Sequence, residues 1–535
     1  MSSRALPRPA VAASPDLLQE GLRCFNAAKF PEAQACFERM LRASPQHPLA
    51  LWNLGRTLLE QNQYTGAATV MQQAVAARPK APEPRFALGM ALQALNRPEE
   101  AAASFRAAAD LRPGWAEAWS HLGHALGSVR RFAEAETALR HAVTFPTYRA
   151  ETLNHLGVLS SARGQPAAAV EWFLQAIPCN PKLYQAWSNL GNALRALNQL
   201  EEASVAYRQS LALNPKNAFV KFNLALVHLL QGRLTRDAWL KYEYRWVALN
   251  SNPHRGFAQP LWRGTEPIAG KSILLYPEQG LGDTIQFIRY AAILAAQGAT
   301  VHVEVQAALK DILQGTPGTT SIIAQGEPLP PFDLHCPLLS VPFALDTRID
   351  TIPAPTAYLE APADRVEKWR DRLGPSPRFR VGVVWRGNPQ HANDANRSIP
   401  LEMFRRVFDA ASCDFVSLQI GPAEKETAIL SAHGNCVDLT DQISDFTDTA
   451  ALMAQLDLVL AVDTSVAHLA GALGKAVWLL LPFSPDWRWL LDREDSPWYP
   501  GMRLFRQPEI GDWDSVITTV TAALAPESGT VNVAA

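Results

Sequence analysis

WSNLGNALRALNQLEEASVAYRQSLALNP, residues 187–215, places a glycine at Gly191, an alanine at Ala203, a large ring at Tyr207 and a closing proline at Pro215. The same positions recur upstream, each 34 residues from the last. Glycine stands at Gly21, Gly55, Gly89, Gly123, Gly157 and Gly191, and alanine at Ala33, Ala67, Ala101, Ala135, Ala169 and Ala203. Proline follows at Pro45, Pro79, Pro113, Pro181 and Pro215, with Pro146 beside Thr147 in the fourth unit. Small Gly and Ala let two helices of one unit approach closely. The large residue four places after the alanine (Phe37, Met71, Phe105, Leu139, Phe173, Tyr207) is expected to fill the gap between neighbours, and the proline to stop the second helix.

A 34-residue period carrying W-x-x-L-G, then A, then an aromatic four residues on and a closing P, resembles the tetratricopeptide repeat. The resemblance covers roughly residues 14–250, as six full repeats and a capping unit after a tail at 1–13. It implies an all-α superhelix whose concave face suits an extended peptide. The residue two before each glycine should lie on the inner helix; it reads Asn53, Ala87, His121, His155 and Asn189, then Asn223 before Ala225. Asn53, Asn189 and Asn223 are therefore candidate holders of an acceptor peptide backbone. The alternative is hydrogen bonding between helices. In the seventh unit Asp237 replaces the alanine, and RDAWLKYEYRWVAL (236–249) carries Trp239, Tyr242, Tyr244 and Trp246. That cluster reads as a packing joint to the next domain, with ligand stacking as the lesser reading.

Beyond a linker at 251–264 the periodicity changes. KSILLYPEQGLGDTIQFIRYAAILAAQG (271–298) reads as a strand at 271–276, a turn at 277–283 and a helix at 284–297, followed by the strand ATVHVEV. Similar units begin at Arg380, Asp414, Leu456 and Ala476. Two lobes, 265–377 and 378–525 with a tail at 526–535, give the fold class α + α/β. Such doubly wound sheets bind ligands beyond their C-terminal strand ends. Gly280 and Gly282 lack the third glycine of a dinucleotide fingerprint, and no G-x-x-x-x-G-K-[ST] occurs. No D-x-D triplet follows a strand, so no metal site is expected.

Composition narrows the class further. The chain has 535 residues, 48% of them hydrophobic and 19% charged, and 49 basic against 51 acidic side chains leave a net charge of −2. This length and apolar share mean several folded domains, and the charge excludes a protein whose main task is to hold nucleic-acid phosphates. Six scattered cysteines form no C-x-x-C pair, which fits a reducing compartment. With no secretory leader or membrane span, a cytoplasmic location is expected.

GLGDTIQF (280–287) and DTSVAHLAGALGKAVWLLLP (463–482) resemble the lipopolysaccharide heptosyltransferases, glycosyltransferase family 9, which have the two-lobed GT-B fold. With the repeats and the closing PFSPDWRWLLDREDSPWYPGMRLFRQ (482–507), the whole chain looks like the bacterial tetratricopeptide-repeat glycosyltransferases, and its architecture is similar to the protein O-GlcNAc transferases. The resemblance implies that Asp283 is the base that takes the acceptor hydroxyl proton; an N-cap is its structural alternative. It also implies that Asp463, Thr464 and Ser465 hold the donor diphosphate at a helix start, with His468, one turn in, a second catalytic residue that adds a proton or a hydrogen bond. The heptosyltransferases carry glycine where Ser465 stands.

In WRGNPQHANDANRSIP (385–400), Arg386, His391 and Arg397 would meet the diphosphate charge in place of a metal. Gly280, Gly282, Gln419 and Asp445 are further candidates for contacts to the nucleotide. Trp487, Trp489, Trp498 and Tyr499 read as packing between lobes, with sugar binding as the alternative. The expected function is transfer of a sugar from a nucleotide-sugar, a co-substrate with no resident cofactor, to a polypeptide held by the repeats. A lipid-linked or surface glycan is the alternative acceptor, and a non-catalytic scaffold the alternative class.

Overall fold

The computed structural model describes residues 15–249, 255–391, 393–409, 413–421 and 423–524. The tails expected at 1–13 and 526–535 lie outside the described residues. The chain forms two compact units, one reaching Ala196 together with Arg208–Pro215, the other made of Leu197–Tyr207 and the chain from Lys216 onward.

Helices pair along the repeats, from Pro15–Asn26 with Phe30–Ala43 to Arg149–Ala162 with Pro166–Cys179; Tyr184–Ala196 and Leu200–Leu213 follow, and Ala218–Leu230 opens the seventh unit. The glycine positions explain the pairing. A methyl group on Gly21, Gly55 or Gly89 would lie 2.6 Å from Phe37, Met71 or Phe105 respectively, and Gly123 and Gly157 are pressed equally hard by Leu139 and Phe173. The large residue thus seals the two helices of its own repeat, and the Phe105 ring also meets His121 of the next repeat at 5.3 Å, as the expected filling between neighbours requires. Overfilling so tight a contact costs ~1–3 kcal/mol. Gly89→Ala is accordingly expected to destabilise the repeats by that amount, read as a lower urea midpoint with the slope of the transition unchanged.

Helices end at Ala43, Ala77, Leu111, Cys179 and Leu213, each two residues before its closing proline. A second 34-residue beat escaped the sequence reading. Ala28, Asn62, Asn96, Arg130, Gly164, Asn198 and Gly232 all hold the left-handed backbone of the turn inside a repeat, with φ between 56° and 73°. What they share is a dihedral angle, so no residue type announces them.

The second unit contains two parallel sheets. The first joins β1 (Ser272–Tyr276), β2 (Thr300–Val305), β3 (Ser321–Ala324) and β4 (Leu334–Pro337) in the order β3-β2-β1-β4. The second joins β5 (Phe379–Val384), β6 (Cys413–Ser417), β7 (Cys436–Asp438), β8 (Leu458–Val462), β9 (Val477–Leu481) and β10 (Met502–Arg506) in the order β10-β9-β8-β5-β6-β7. Counted within each lobe, these orders are 3-2-1-4 and 3-2-1-4-5-6, the winding of a Rossmann-type sheet. β8 and β9 are buried along their whole length, as their unbroken apolar sequences require of strands covered on both faces. The order reverses between β1 and β4 and again between β5 and β8, and ligands of such sheets bind at these switch points.

Three boundaries differ from expectation. The helix after β1 begins at Leu281 and breaks into Leu281–Phe287, a 3-10 turn at Ile288–Tyr290 and Ala291–Ala296. The linker expected at 251–264 is part of the first lobe from Arg255 on, because Arg255 pairs with buried Glu304 and the Trp262 N–H donates to the His335 carbonyl at 2.8 Å. The repeats also do not end as a packing unit near 250, since Ala218–Leu230 groups with the sheets.

The cluster at 239–246 forms the expected joint within this second unit. Trp239 and Tyr242 are buried and meet Trp487 edge to face at 5.6 and 5.9 Å, while the Trp239 indole donates to the Thr347 carbonyl at 2.6 Å. Arg245, 1% exposed, pairs with Glu278 at 2.7 Å and donates to Ser340 Oγ at 2.7 Å. Truncating a buried tryptophan costs ~3–5 kcal/mol. Trp239→Ala is expected to destabilise the sheet-bearing unit by that much, read as a lower thermal midpoint.

Candidate functional site

Two helix starts, one from each lobe, meet over the switch points. Gly280 is the N-cap of Leu281–Phe287, and Asp283 in its first turn accepts the Gly280 N–H at 2.8 Å through Oδ2. The other carboxylate oxygen of Asp283 accepts from Arg488 at 2.5 Å. Opposite lies the helix Ser465–Ala472 that follows β8. A methyl group on Gly282 would stand 2.8 Å from His468 Cδ2 and 3.4 Å from Ser465 Cα, so only glycine allows the two starts to come this close. Gly280 and Gly282 therefore build the junction of the two helix starts.

Arg488 organises the floor of this junction. Its guanidinium donates to Gln286 Oε1 at 2.6 Å, to Asp486 at 2.8 Å and to Asp283, and it lies over the Trp487 ring at 4.6 Å. Burial pushes the Asp283 carboxyl above its usual range while Arg488 pulls it back down. Burial, with Asp486 adding to it, pushes Asp463 up to about 6. The Trp489 indole faces the Asp463 carboxylate without closing to a hydrogen bond.

Thr464 is the N-cap of the second helix, yet its side chain makes no capping bond and its buried Oγ1 has no partner among the described residues. The buried Gln286 amide nitrogen is likewise unsatisfied. A helix N-terminus with its cap residue turned away keeps free N–H groups and a partial positive charge for an anion. Arg397 stands beside it, donating to the Asp463 carbonyl at 2.9 Å across the β5–β8 switch point. His391 lies on the exposed rim in the field of Asp283 and Asp486.

Three candidates are occupied elsewhere. Arg386 is paired with Glu426 at 3.1 Å and donates to the Gly421 carbonyl at 2.6 Å, so its fork is turned from the switch point. Gln419 Oε1 accepts the Arg386 N–H at 3.0 Å. Asp445 caps the helix Phe446–Ala454, accepting the Asp448 N–H at 2.7 Å. Arg488 and Gln286 were missed by sequence reasoning; the signal available for Arg488 was its place two residues after Asp486 in a Trp-rich motif.

Along the repeats, Asn53 donates to Leu49 of its own helix at 2.8 Å and Asn189 donates to Asn154 at 2.9 Å. These side chains bond within and between helices, the structural alternative to holding a peptide. Asn223 is buried. Where His replaces Asn, the rings cluster: His121 meets Tyr148 OH at 3.0 Å through Nε2, His155 meets Ser120 Oγ at 2.9 Å through Nδ1, and the His155 ring lies 4.7 and 5.7 Å from those of His124 and His121.

Models described as tetratricopeptide repeat match residues 18–82, 58–122, 149–180 and 172–203, and one described as TPR repeat matches 191–232. The N-terminal part of the chain is thus built of these repeats. Protein FlbA of Caulobacter vibrioides is 26% identical over 392 residues, a match covering 68% of this chain and 64% of FlbA. The chain therefore spans less than two thirds of that relative, and the aligned stretch is longer than the repeats alone. A tetratricopeptide repeat protein from Parabacteroides merdae shares 15% identity over 45% of this chain and 94% of its own, with a TM-score of 0.40. YrrB, a TPR protein with an unusual peptide-binding site, shares 19% over 32% of this chain and 89% of its own, with a TM-score of 0.30. No helix among the described residues is long and apolar enough to cross a membrane.

Proposed function

We propose that this chain is a GT-B-type glycosyltransferase that moves a sugar from a nucleotide-sugar to a polypeptide acceptor held by its repeats. One observation carries the reading: a carboxylate, Asp283, and an open helix N-terminus, Thr464–Ser465, stand on two helix starts that meet at Gly282, one from each parallel sheet. In the proposed step the acceptor oxygen bonds to the anomeric carbon and Asp283 takes its proton. The bond from that carbon to the diphosphate oxygen breaks with its electron pair, and the departing charge is met by Arg397 and the first-turn N–H groups. Asp283 suits the role because burial raises its proton affinity while Arg488 keeps it ionised and aimed. The acceptor half rests on the repeat array, since stacked helix pairs present a long face to an extended chain.

The test incubates the purified protein with a panel of nucleotide-sugars and a cell lysate, and reads protein masses. Gain of one sugar mass on a protein is the expected outcome. Nucleotide released only when glycolipid is added would replace the polypeptide by a glycan acceptor; no release and no thermal shift with any donor would leave a scaffold. The two arginines are held differently, Arg386 by Glu426 and Arg397 by Asp394 at 3.3 Å and by the Asp463 carbonyl. A hydrogen bond from a charged group contributes about 1.5–3 kcal/mol, so Arg397→Ala is expected to weaken nucleoside diphosphate binding at least tenfold in calorimetry. Arg386→Ala, already paired with Glu426, is expected to change it less than twofold.

A further inference from the structure

Asp283 is held through both of its carboxylate oxygens, and each hold leads back to the capping unit of the repeats (Ala218–Leu230, Arg236–Tyr242 and Arg245–Ala248). Oδ2 accepts the Gly280 N–H at 2.8 Å. Gly280 closes a turn that begins at Glu278, whose side chain is 4% exposed and is tied to Arg245: its Oε1 accepts from Nε at 2.8 Å and pairs with Nη2 at 2.7 Å. Arg245 is seated over the rings of Tyr242 at 4.8 Å and Trp246 at 4.6 Å, and its other donors go to Glu243 and Ser340. With every nitrogen engaged, the planar guanidinium fixes direction as well as distance.

Oδ1 accepts from Arg488, which belongs to the segment 483–490. The last two repeat units grip this segment at both ends and in its middle. Asn198, in the left-handed turn of the sixth repeat, donates to the Phe483 carbonyl at 2.6 Å. Trp487 lies against Trp239 and Tyr242 and carries the Arg488 guanidinium over its ring at 4.6 Å. A methyl group on Gly232, the matching turn of the seventh unit, would stand 3.9 Å from the Leu490 side chain. Leu490 itself holds φ 54° and ψ −166°, a backbone conformation that a residue with a side chain keeps only where its surroundings impose it. All of these residues pack in the unit that contains the sheets.

We propose that the capping unit is part of the site: Arg245 and Tyr242 are positioning residues that aim the two hydrogen bonds on Asp283, so the base is assembled only when the end of the repeat array is docked on the first lobe. The inference rests on the glycosyltransferase reading for the step that Asp283 performs; the anchoring belongs to the free protein. Arg245 acts through Glu278 and the turn to Gly280, and Tyr242 through Trp487 and Arg488. A reacting group displaced by about 1 Å can lose about 10²-fold in rate, and nothing in this arrangement ties the donor site to the same two residues.

The test uses the full chain with the ion pair replaced as a unit, Arg245→Met together with Glu278→Met. Exchanging a buried pair for apolar side chains of similar volume often spares stability, whereas removing one partner strands a charge. Tyr242→Leu tests the other arm, with Tyr242→Phe as its conservative control. Hydrogen exchange of the free protein, read by mass spectrometry, reports the anchoring. The pair variant is expected to exchange faster than wild type in 277–284 and Tyr242→Leu in 483–490, while Tyr242→Phe matches wild type. Initial rates and calorimetry report the chemistry: kcat is expected to fall about tenfold or more in the pair variant and in Tyr242→Leu, with nucleoside diphosphate affinity changed less than about twofold and kcat restored in Tyr242→Phe. Unchanged exchange in both segments overturns the proposal, as does faster exchange with undiminished kcat, or affinity lost in parallel with kcat. A wild type that transfers no sugar from any donor overturns the glycosyltransferase reading and the positioning role with it, and is distinguishable because the exchange arm decides the anchoring without any substrate.

Discussion

Asp283→Asn is expected to reduce sugar transfer by about 10²- to 10⁴-fold, the usual contribution of a positioned general base, while donor affinity changes little. The substituted amide keeps the size of the side chain and can still accept the Gly280 N–H through its oxygen. What disappears is the charge that takes the proton. The measurement is initial nucleotide release with acceptor present, beside calorimetric donor binding. An active Asp283→Asn would remove Asp283 from the chemistry and leave it a capping residue. The pH profile supplies a second check. Activity needs the ionised carboxylate, so it should fall as pH drops through a value above the ordinary carboxylate range. Arg488 lowers that value, and Arg488→Gln should therefore move the acid limb upward.

Acid is expected to unfold the repeats before it affects much else in them. Burial, and then the neighbouring His124, holds His121 down to about 4, and burial also lowers His124 and His155. An unfolded histidine binds its proton near 6.5. Between pH 6.5 and 4 the unfolded chain therefore holds protons that the folded chain refuses, and stability falls as pH falls. His121 alone removes about 2 kcal/mol at pH 5, and about 3 kcal/mol once pH reaches 4. Urea titrations at pH 7 and pH 5 check this. His121→Asn, which installs the residue found at positions 53 and 189, should flatten the dependence; an unchanged slope would show that the cluster does not carry it. Glu117 and Glu151 lie in the same neighbourhood, where they raise the Tyr148 phenol after burial, so the variant is compared at fixed salt.

The repeat was legible because its message is local. Glycine under Phe37, Met71 or Phe105 fixes a contact sixteen residues away, inside one helix pair, and period alone exposes it. The left-handed turn at Ala28, Asn62, Asn96 and Arg130 keeps the same period but was illegible, since a backbone angle can be imposed on several residue types by the helices on either side. In the second half, GLGD and DTS were readable as helix starts after strands. That Gly282 packs against His468 was not, because the two are 186 positions apart in the chain and meet only when both sheets are wound.

Charge pairing marks the limit more sharply. Arg386 and Arg397 stand in one segment and read alike, yet Glu426 captures the first, while Asp394 and the Asp463 carbonyl orient the second toward the β8 end. Arg488 drew no attention in a motif full of tryptophans, although it holds Asp283. The sequence by itself determined the helix pairs, the alternation of strand and helix and the two helix starts, because these follow from periodicity and from residues near one another in the chain. Only the tertiary structure decided which carboxylate is held by which arginine and which edge of His468 meets Gly282, because a guanidinium or an imidazole is directed by whatever partner the fold brings within about 3 Å.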